Sequence, residues 1–192
     1  GAVFFGLRLR LGFGFSTGSG TGFVSTTGSG VGSGAGFASA TGSGVGSGVG
    51  SGAGADVGNA HANTMVGYGA GTYTEHASGN TMVGYGAGWD NNRSNSTTNS
   101  ARNTYLGAMA GGTNRSGSDN VVIGWNADYD SQASNSGNNQ NVVIGASALH
   151  SSARNNTIII GYQASANTNN TVSIGNTAIQ SIGGSVNWSA TS

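Results

Sequence analysis

A glycine followed three residues later by an alanine occurs seven times at equivalent places in this chain. The glycines are Gly67, Gly84, Gly107, Gly124, Gly145, Gly161 and Gly175, and the alanines are Ala70, Ala87, Ala110, Ala127, Ala148, Ala164 and Ala178. An aliphatic residue precedes each glycine: Val66, Val83, Leu106, Ile123, Ile144, Ile160 and Ile174. Thr64, Thr81, Thr104, Val121, Val142, Ile158 and Val172 stand three residues before it. An asparagine opens every unit. Asn63, Asn80, Asn103, Asn120 and Asn141 lie four residues before the glycine, and Asn156 and Asn170 lie five before it. Successive glycines are 17, 23, 17, 21, 16 and 14 residues apart, and the surplus always falls between an alanine and the next asparagine. Insertions confined to one point of a repeat are loops leaving one side of a stack.

The shortest spacing predicts an all-β solenoid, or β-roll, with a coil of about 14 residues. Strand side chains alternate with period two. The residues one and three before each glycine are aliphatic or β-branched, so they are expected to point inward and stack into a core. The glycine permits a bend that a Cβ would block. The alanine is small because a narrow coil leaves no room opposite a branched residue. The asparagine either closes a turn or stacks in a ladder. The middle residues are Met65, Met82, Tyr105, Val122, Val143, Ile159 and Ser173, six of them apolar. On this reading they face outward and are covered by further copies of the chain, with a homotrimeric fibre as the preferred assembly.

Composition agrees with short strands and turns. Glycine supplies 38 of 192 residues, charged residues are 6%, and proline and cysteine are absent. All six basic residues are arginine, and the formal net charge is zero. There is no basic footprint for nucleic acid, no disulfide framework and no thiolate metal site. No apolar run approaches the ~18 residues of a membrane helix.

Residues 23–36 and 37–50 match at 11 of 14 positions, again with a period of 14. Glycine takes every second place from Gly28 to Gly36 and from Gly42 to Gly54. That alternation puts the glycines on one strand face, and Phe23 and Phe37 are expected to stack in a core. In residues 1–15, Leu7, Leu9, Leu11, Phe13 and Phe15 alternate with Arg8 and Arg10, which reads as an amphipathic strand. The chain is thus divided into an N-terminal attachment segment (1–22), Gly/Ser-rich repeats (23–58), seven β-roll repeats (59–180) and a C-terminal segment (181–192).

No catalytic constellation is evident, and no enzyme activity is expected. Asp128 and Asp130 share a loop, where carboxylates commonly serve only to keep it solvated. A glycosidase would need two of them across a cleft. His61, His76 and His150 lack zincin spacing, and a surface position is expected for each. There is no lysine to serve a phosphate loop. No cofactor and no metal are expected. The inserted loops hold Tyr73, Trp89, Arg93, Arg102, Arg115, Tyr129, His150 and Arg154. Aromatic and arginine side chains among Asn and Asp suit glycan or protein contacts, so these eight are the candidate binding residues. Tyr68, Tyr85, Trp125 and Tyr162 directly follow anchor glycines and read as packing between chains.

The stretches Asn80-Thr-Met-Val-Gly-Tyr-Gly-Ala87 and Thr157-Ile-Ile-Ile-Gly-Tyr-Gln-Ala164 resemble the head repeats of trimeric autotransporter adhesins. They are still more similar to repeats of phage tail fibres and related bacterial surface fibres. The resemblance covers about residues 59–180. It implies a trimeric extracellular fibre, on a virion tail or a bacterial surface, that meets a cell-surface glycan or outer-membrane receptor. A structural spacer without a ligand and a fibre-borne glycan depolymerase are the alternatives. Residues 174–192 resemble the junction before an intramolecular chaperone of the S74 peptidase type, where cleavage follows a serine. That likeness implies Ser192 as a matured C-terminus and a removed chaperone domain as a partner.

Overall fold

The computed structural model describes residues 53–54, 60, 62–92, 100–129, 137–150 and 153–183, together with the backbone of the strands between residues 18 and 49. The amphipathic strand expected in residues 1–15, the Phe23 and Phe37 side chains, most of the alternating-glycine tracts, and residues 184–192 of the junction lie outside the described residues.

The described chain is all-β, with no helix. Five short strands come first: β1 Gly18–Ser19, β2 Val24–Thr27, β3 Gly32–Ser33, β4 Phe37–Thr41 and β5 Ser47–Val49. The anchor repeats then supply β6 Thr64–Val66, β7 Thr81–Val83, β8 Thr104–Leu106, β9 Val121–Ile123, β10 Val142–Ile144, β12 Thr157–Ile160 and β14 Thr171–Ile174. Two further strands, β11 Leu149–His150 and β13 Ser165–Ala166, pair with each other on a second wall. From β6 to β14 the anchor strands pair parallel and in register, so that Met65 meets Met82, then Tyr105, Val122, Val143, Ile159 and Ser173. The result is a β-solenoid of about six turns. In the N-terminal part β2 pairs parallel with β4, with Val24 opposite Ala38, an offset equal to the 14-residue repeat.

The core sits on the opposite strand face from the one expected. Met65, Met82, Tyr105, Val122, Val143 and Ile159 are at most 1% exposed, whereas Val66, Leu106, Ile144, Ile158 and Ile160 are 36–46% exposed. The middle residue of each strand points in and its two neighbours point out. The opening asparagine explains the parity. In the first five repeats it lies two residues before the middle one, on the same strand face, and is itself buried. Facing the middle column is the alanine column, of which Ala70, Ala87, Ala110, Ala127, Ala148 and Ala164 are fully buried. Each coil from Met65 to Ile159 therefore holds its middle side chain against one methyl group.

The anchor glycines stack on one another. Gly84 has φ +136°, and a Cβ there would lie 2.5 Å from the Gly107 carbonyl oxygen. Volume is balanced further round the coil. A Cβ on Gly71 would lie 2.6 Å from Met65 Sδ, and one on Gly88 the same distance from Met82 Sδ; Gly111 abuts the Tyr105 ring in the same way. Where the middle residue shrinks to Val122 and Val143, the interior instead holds Asp128 and His150, both buried.

The asparagines form a buried ladder. Asn63 Oδ1 accepts from Asn80 N at 2.8 Å, Asn80 Oδ1 from Asn103 N at 2.8 Å, Asn103 Oδ1 from Asn120 N at 2.9 Å, and Asn120 Oδ1 from Asn141 N at 3.0 Å. Asn141 Oδ1 then accepts from Thr157 N at 2.9 Å. Asn156 and Asn170 do not continue it. They stand one residue earlier, in left-handed conformation (φ 54° and 56°), and are exposed, with Asn156 Nδ2 donating to Asn170 Oδ1 at 2.9 Å. Thr157 takes the ladder position and ends the ladder.

Replacing Asn103 by alanine orphans the buried Asn120 N–H and removes one of two donors to the Gly117 carbonyl, the other being Asn114 Nδ2. The expected loss is about 2 kcal/mol, since an orphaned buried group costs roughly 1–3 kcal/mol. Asn156→Gly, on the surface and in a left-handed conformation that glycine tolerates, is expected to cost under about 0.5 kcal/mol. Urea denaturation of the two variants checks this, and equal losses would dissolve the distinction between the two kinds of asparagine.

Candidate functional site

Trp89 and Tyr129 each lie five residues after an anchor glycine and face outward. They reach that side because the residue before each is left-handed: Gly88 at φ 59° and Asp128 at φ 46°. Each ring lies on a glycine. A Cβ on Gly112 would come within 2.7 Å of the Tyr129 ring, and one on Gly69 would strike the Trp89 ring. Met109 packs on Gly86 in the same manner, with its sulfur 2.5 Å from where a Cβ would stand. Tyr73 meets Trp89 edge-on, with ring centroids 6.1 Å apart and planes at 77°.

Between these side chains runs a groove of about 400 Å³, bounded by Tyr85, Trp89, Met109 and Tyr129. Its polar end is an ion pair, Arg115 Nε donating to Asp90 Oδ2 at 2.8 Å, with Asp90 8% exposed and Arg115 42%. The volume falls within the range of small-ligand sites, which combine apolar walls with a few placed polar groups. Aromatic rings offer flat apolar faces, and a half-exposed guanidinium presents several donors in a fixed fork.

Of the eight candidate binding residues, the fold brings Trp89, Arg115 and Tyr129 into one groove, with Tyr73 behind Trp89. Arg102 lies apart. Its Nε donates to Asp119 Oδ1 at 2.6 Å and its terminal nitrogen to Oδ2 at 2.8 Å. That hydrogen bond chiefly, with the charge itself, holds the Asp119 carboxyl below the usual carboxylate range. The pair therefore contributes above the ordinary carboxylate pKa, and its contribution is lost as pH falls through the depressed value. Arg154 is half-buried, and its backbone N–H and carbonyl hold the Asn138 and Asn141 side chains. Arg93 lies outside the described residues.

His150 is not a surface residue: it is fully buried. In its coil the residue before it, Leu149, is extended in β11 rather than left-handed, so alternation turns the imidazole inward beside Ala148. His61 lies outside the described residues, and no cluster of three metal-binding side chains occurs among the described ones. Tyr85, Met109 and Asp90 were not among the candidate residues. The shared offset of Trp89 and Tyr129 from their glycines is the sequence signal that points to this corner of the coil.

A second surface runs along the sheet. Among the described residues, all the large exposed hydrophobic ones except Ile179 and Ile182 stand just before, just after, or three before an anchor glycine. Tyr68, Tyr85, Trp125 and Tyr162 are 54–63% exposed, and Tyr68 stacks on Tyr85 with centroids 5.4 Å apart. No known protein family, curated protein or solved structure matches the chain.

Gly112 has no left-handed backbone requirement, so Gly112→Ala is expected to fold while pushing the Tyr129 ring out of the groove. Nuclear magnetic resonance should show the Tyr129 ring signals displaced with the far-ultraviolet circular dichroism unchanged. Undisturbed ring signals would mean that the ring does not rest on Gly112.

Proposed function

We propose that this chain is a segment of a homotrimeric extracellular fibre that attaches to a cell surface, on a phage tail or a bacterial surface. Its copies pack through the apolar sheet face and present the aromatic groove to a surface glycan or outer-membrane receptor. The observation that carries this reading is the exposed ribbon of Val66, Leu106, Ile144, Ile160 and their aromatic neighbours along the whole stack. A sheet face of a lone solenoid in water is expected to be polar, and contiguous exposed apolar surface of this kind marks an interface. Charged residues are 6% of the chain, so little repulsion opposes the approach of like surfaces. Each coil repeats the same columns, which suits a partner with the same repeat, namely another copy. Packed in this way, three copies repeat every groove, and weak contacts gain strength through simultaneous engagement.

Light scattering on the soluble chain is expected to give the mass of three copies. Leu106→Lys with Ile144→Lys should yield a monomer that keeps its β-type circular dichroism, because both side chains already point outward. A wild-type monomer would overturn the trimer. For the receptor contact, a glycan array probed with the wild-type chain and with Trp89→Ala separates the two parts of the reading. Loss of a key aromatic contact typically weakens binding by about 2 kcal/mol, or roughly thirtyfold. A trimer that binds no glycan and no outer-membrane preparation is a structural spacer instead.

A further inference from the structure

Among the described residues, the interior of the stack contains one ionisable cluster that neither the groove nor the sheet face uses. Asp128, His150 and Thr157 come from three successive coils and are at most 2% exposed. His150 Nδ1 lies 2.7 Å from Asp128 Oδ1, and His150 Nε2 lies 2.7 Å from Thr157 Oγ1. The same three groups in an open cleft would form a relay that activates a hydroxyl. Here the hydroxyl is buried and its proton is already committed, as the hydrogen-bond count shows.

Asn141 Nδ2 donates to the Arg154 carbonyl at 2.8 Å, while Asn141 Oδ1 accepts from Thr157 N, so the amide has one orientation. Thr157 Oγ1 lies 2.9 Å from that same Oδ1. Only the hydroxyl proton can occupy this contact. The Thr157 oxygen must then accept from His150, which requires a proton on Nε2. Asn138 is oriented likewise, with Oδ1 accepting from Arg154 N at 2.7 Å and Nδ2 donating to Asp128 Oδ2 at 3.1 Å. Asp128 Oδ2 is therefore an acceptor, the Nδ1–Oδ1 contact holds one further proton, and the imidazole, the more basic of the two groups, carries it on Nδ1 and leaves Asp128 a carboxylate.

We propose that Asp128, His150 and Thr157 form a proton-locked joint, in which two protons on the imidazole close the last rung of the asparagine ladder and clamp the C-terminal coils to the stack. With both protons present the His150 cation and the Asp128 anion neutralise each other, and every contact has one donor and one acceptor. Removing one proton leaves Nε2 and Asn141 Oδ1 competing for the single hydroxyl proton of Thr157, beside an uncompensated buried carboxylate. Adding one to Asp128 sets two donors against each other and leaves a buried cation. The other charged or titratable groups near the cluster among the described residues include Tyr105, Arg154 and Tyr129, the last following Asp128 in the chain with its ring at the groove. Burial chiefly pushes the Tyr105 phenol far above its ordinary value, so it stays neutral, and the Asp128 charge adds to that effect. Arg154 bonds through its terminal nitrogen to the Ala153 carbonyl at 2.9 Å and meets the cluster through its backbone.

Nitrogen-15 resonance of the His150 ring in the intact chain at neutral pH tests the proton count. Protons on both ring nitrogens are expected, and a bare Nε2 or Nδ1 would overturn the proposal. Hydrogen exchange tests the consequence. At about pH 10, well above the free imidazole's pKa of about 6.5, and after correction for intrinsic rates, amides of β12 and β14 should open about tenfold more readily relative to β6–β8 than they do at neutral pH. Thr157→Val removes the hydroxyl that Nε2 must serve, and should abolish that difference between pH values. An unchanged ratio in the wild type, or the same pH response in Thr157→Val, would show that the cluster is not a joint.

Discussion

Each coil of this solenoid from Met65 to Ile159 encloses its middle side chain, held between a strand and an alanine methyl, and the rest of the structure answers to that narrow interior. An alanine must stand opposite because a longer side chain would force the walls apart. The glycines after it give way where the enclosed residue is methionine or tyrosine. No single coil buries enough surface to be stable alone, so stability comes from stacking. What fixes the stacking register is the asparagine ladder, in which each side-chain oxygen receives the backbone N–H of the next coil. A slip by one residue would turn the buried amides outward and bring the strand's flanking residues inward.

The repeat, its stacking into a solenoid and the small alanine were legible in the sequence, because each is a matter of spacing. Strand parity was not. Ranking columns by apolar character puts Val66 and Ile160 inside, since they are uniformly aliphatic, whereas the middle column mixes Met65, Tyr105 and Val122. The decisive clue was polar. Asn63 and its equivalents share a face with the middle column, and an amide column kept in register is a structural element rather than a solvated one. Reading the seven asparagines as equivalent hid this, because Asn156 and Asn170 occupy a left-handed turn position one residue before the ladder column, which ends at Thr157. The groove was half legible: Trp89, Arg115 and Tyr129 were identifiable as loop residues, but their meeting depends on coils that differ in length. His150 escaped because its direction is set by the extended backbone at Leu149, a switch that no composition rule signals.

The apolar sheet face and the aromatic groove are neighbours, and Tyr85 belongs to both. Its ring stacks on Tyr68 along the sheet and also forms one wall of the groove. On the trimeric reading, an adjoining copy that covers the sheet would therefore limit how far the Tyr85 ring can swing, and so narrow one side of the binding groove. Assembly and recognition would then be mechanically linked through a single ring.

The match between enclosed residue and glycine has a consequence for how such a chain can lengthen. Gly71 touches both Met65 and Met82, and Gly88 touches both Met82 and Tyr105, so each glycine serves its own coil and the next. A duplicated methionine coil placed before Tyr105 meets neighbours of its own kind and extends the stack without a void. The same insert placed after Val122 would set a methionine into space already taken by Asp128. Growth by gene duplication thus has a permitted end and a closed end, and the boundary between them lies where the interior changes from thioether and phenol to carboxylate and imidazole.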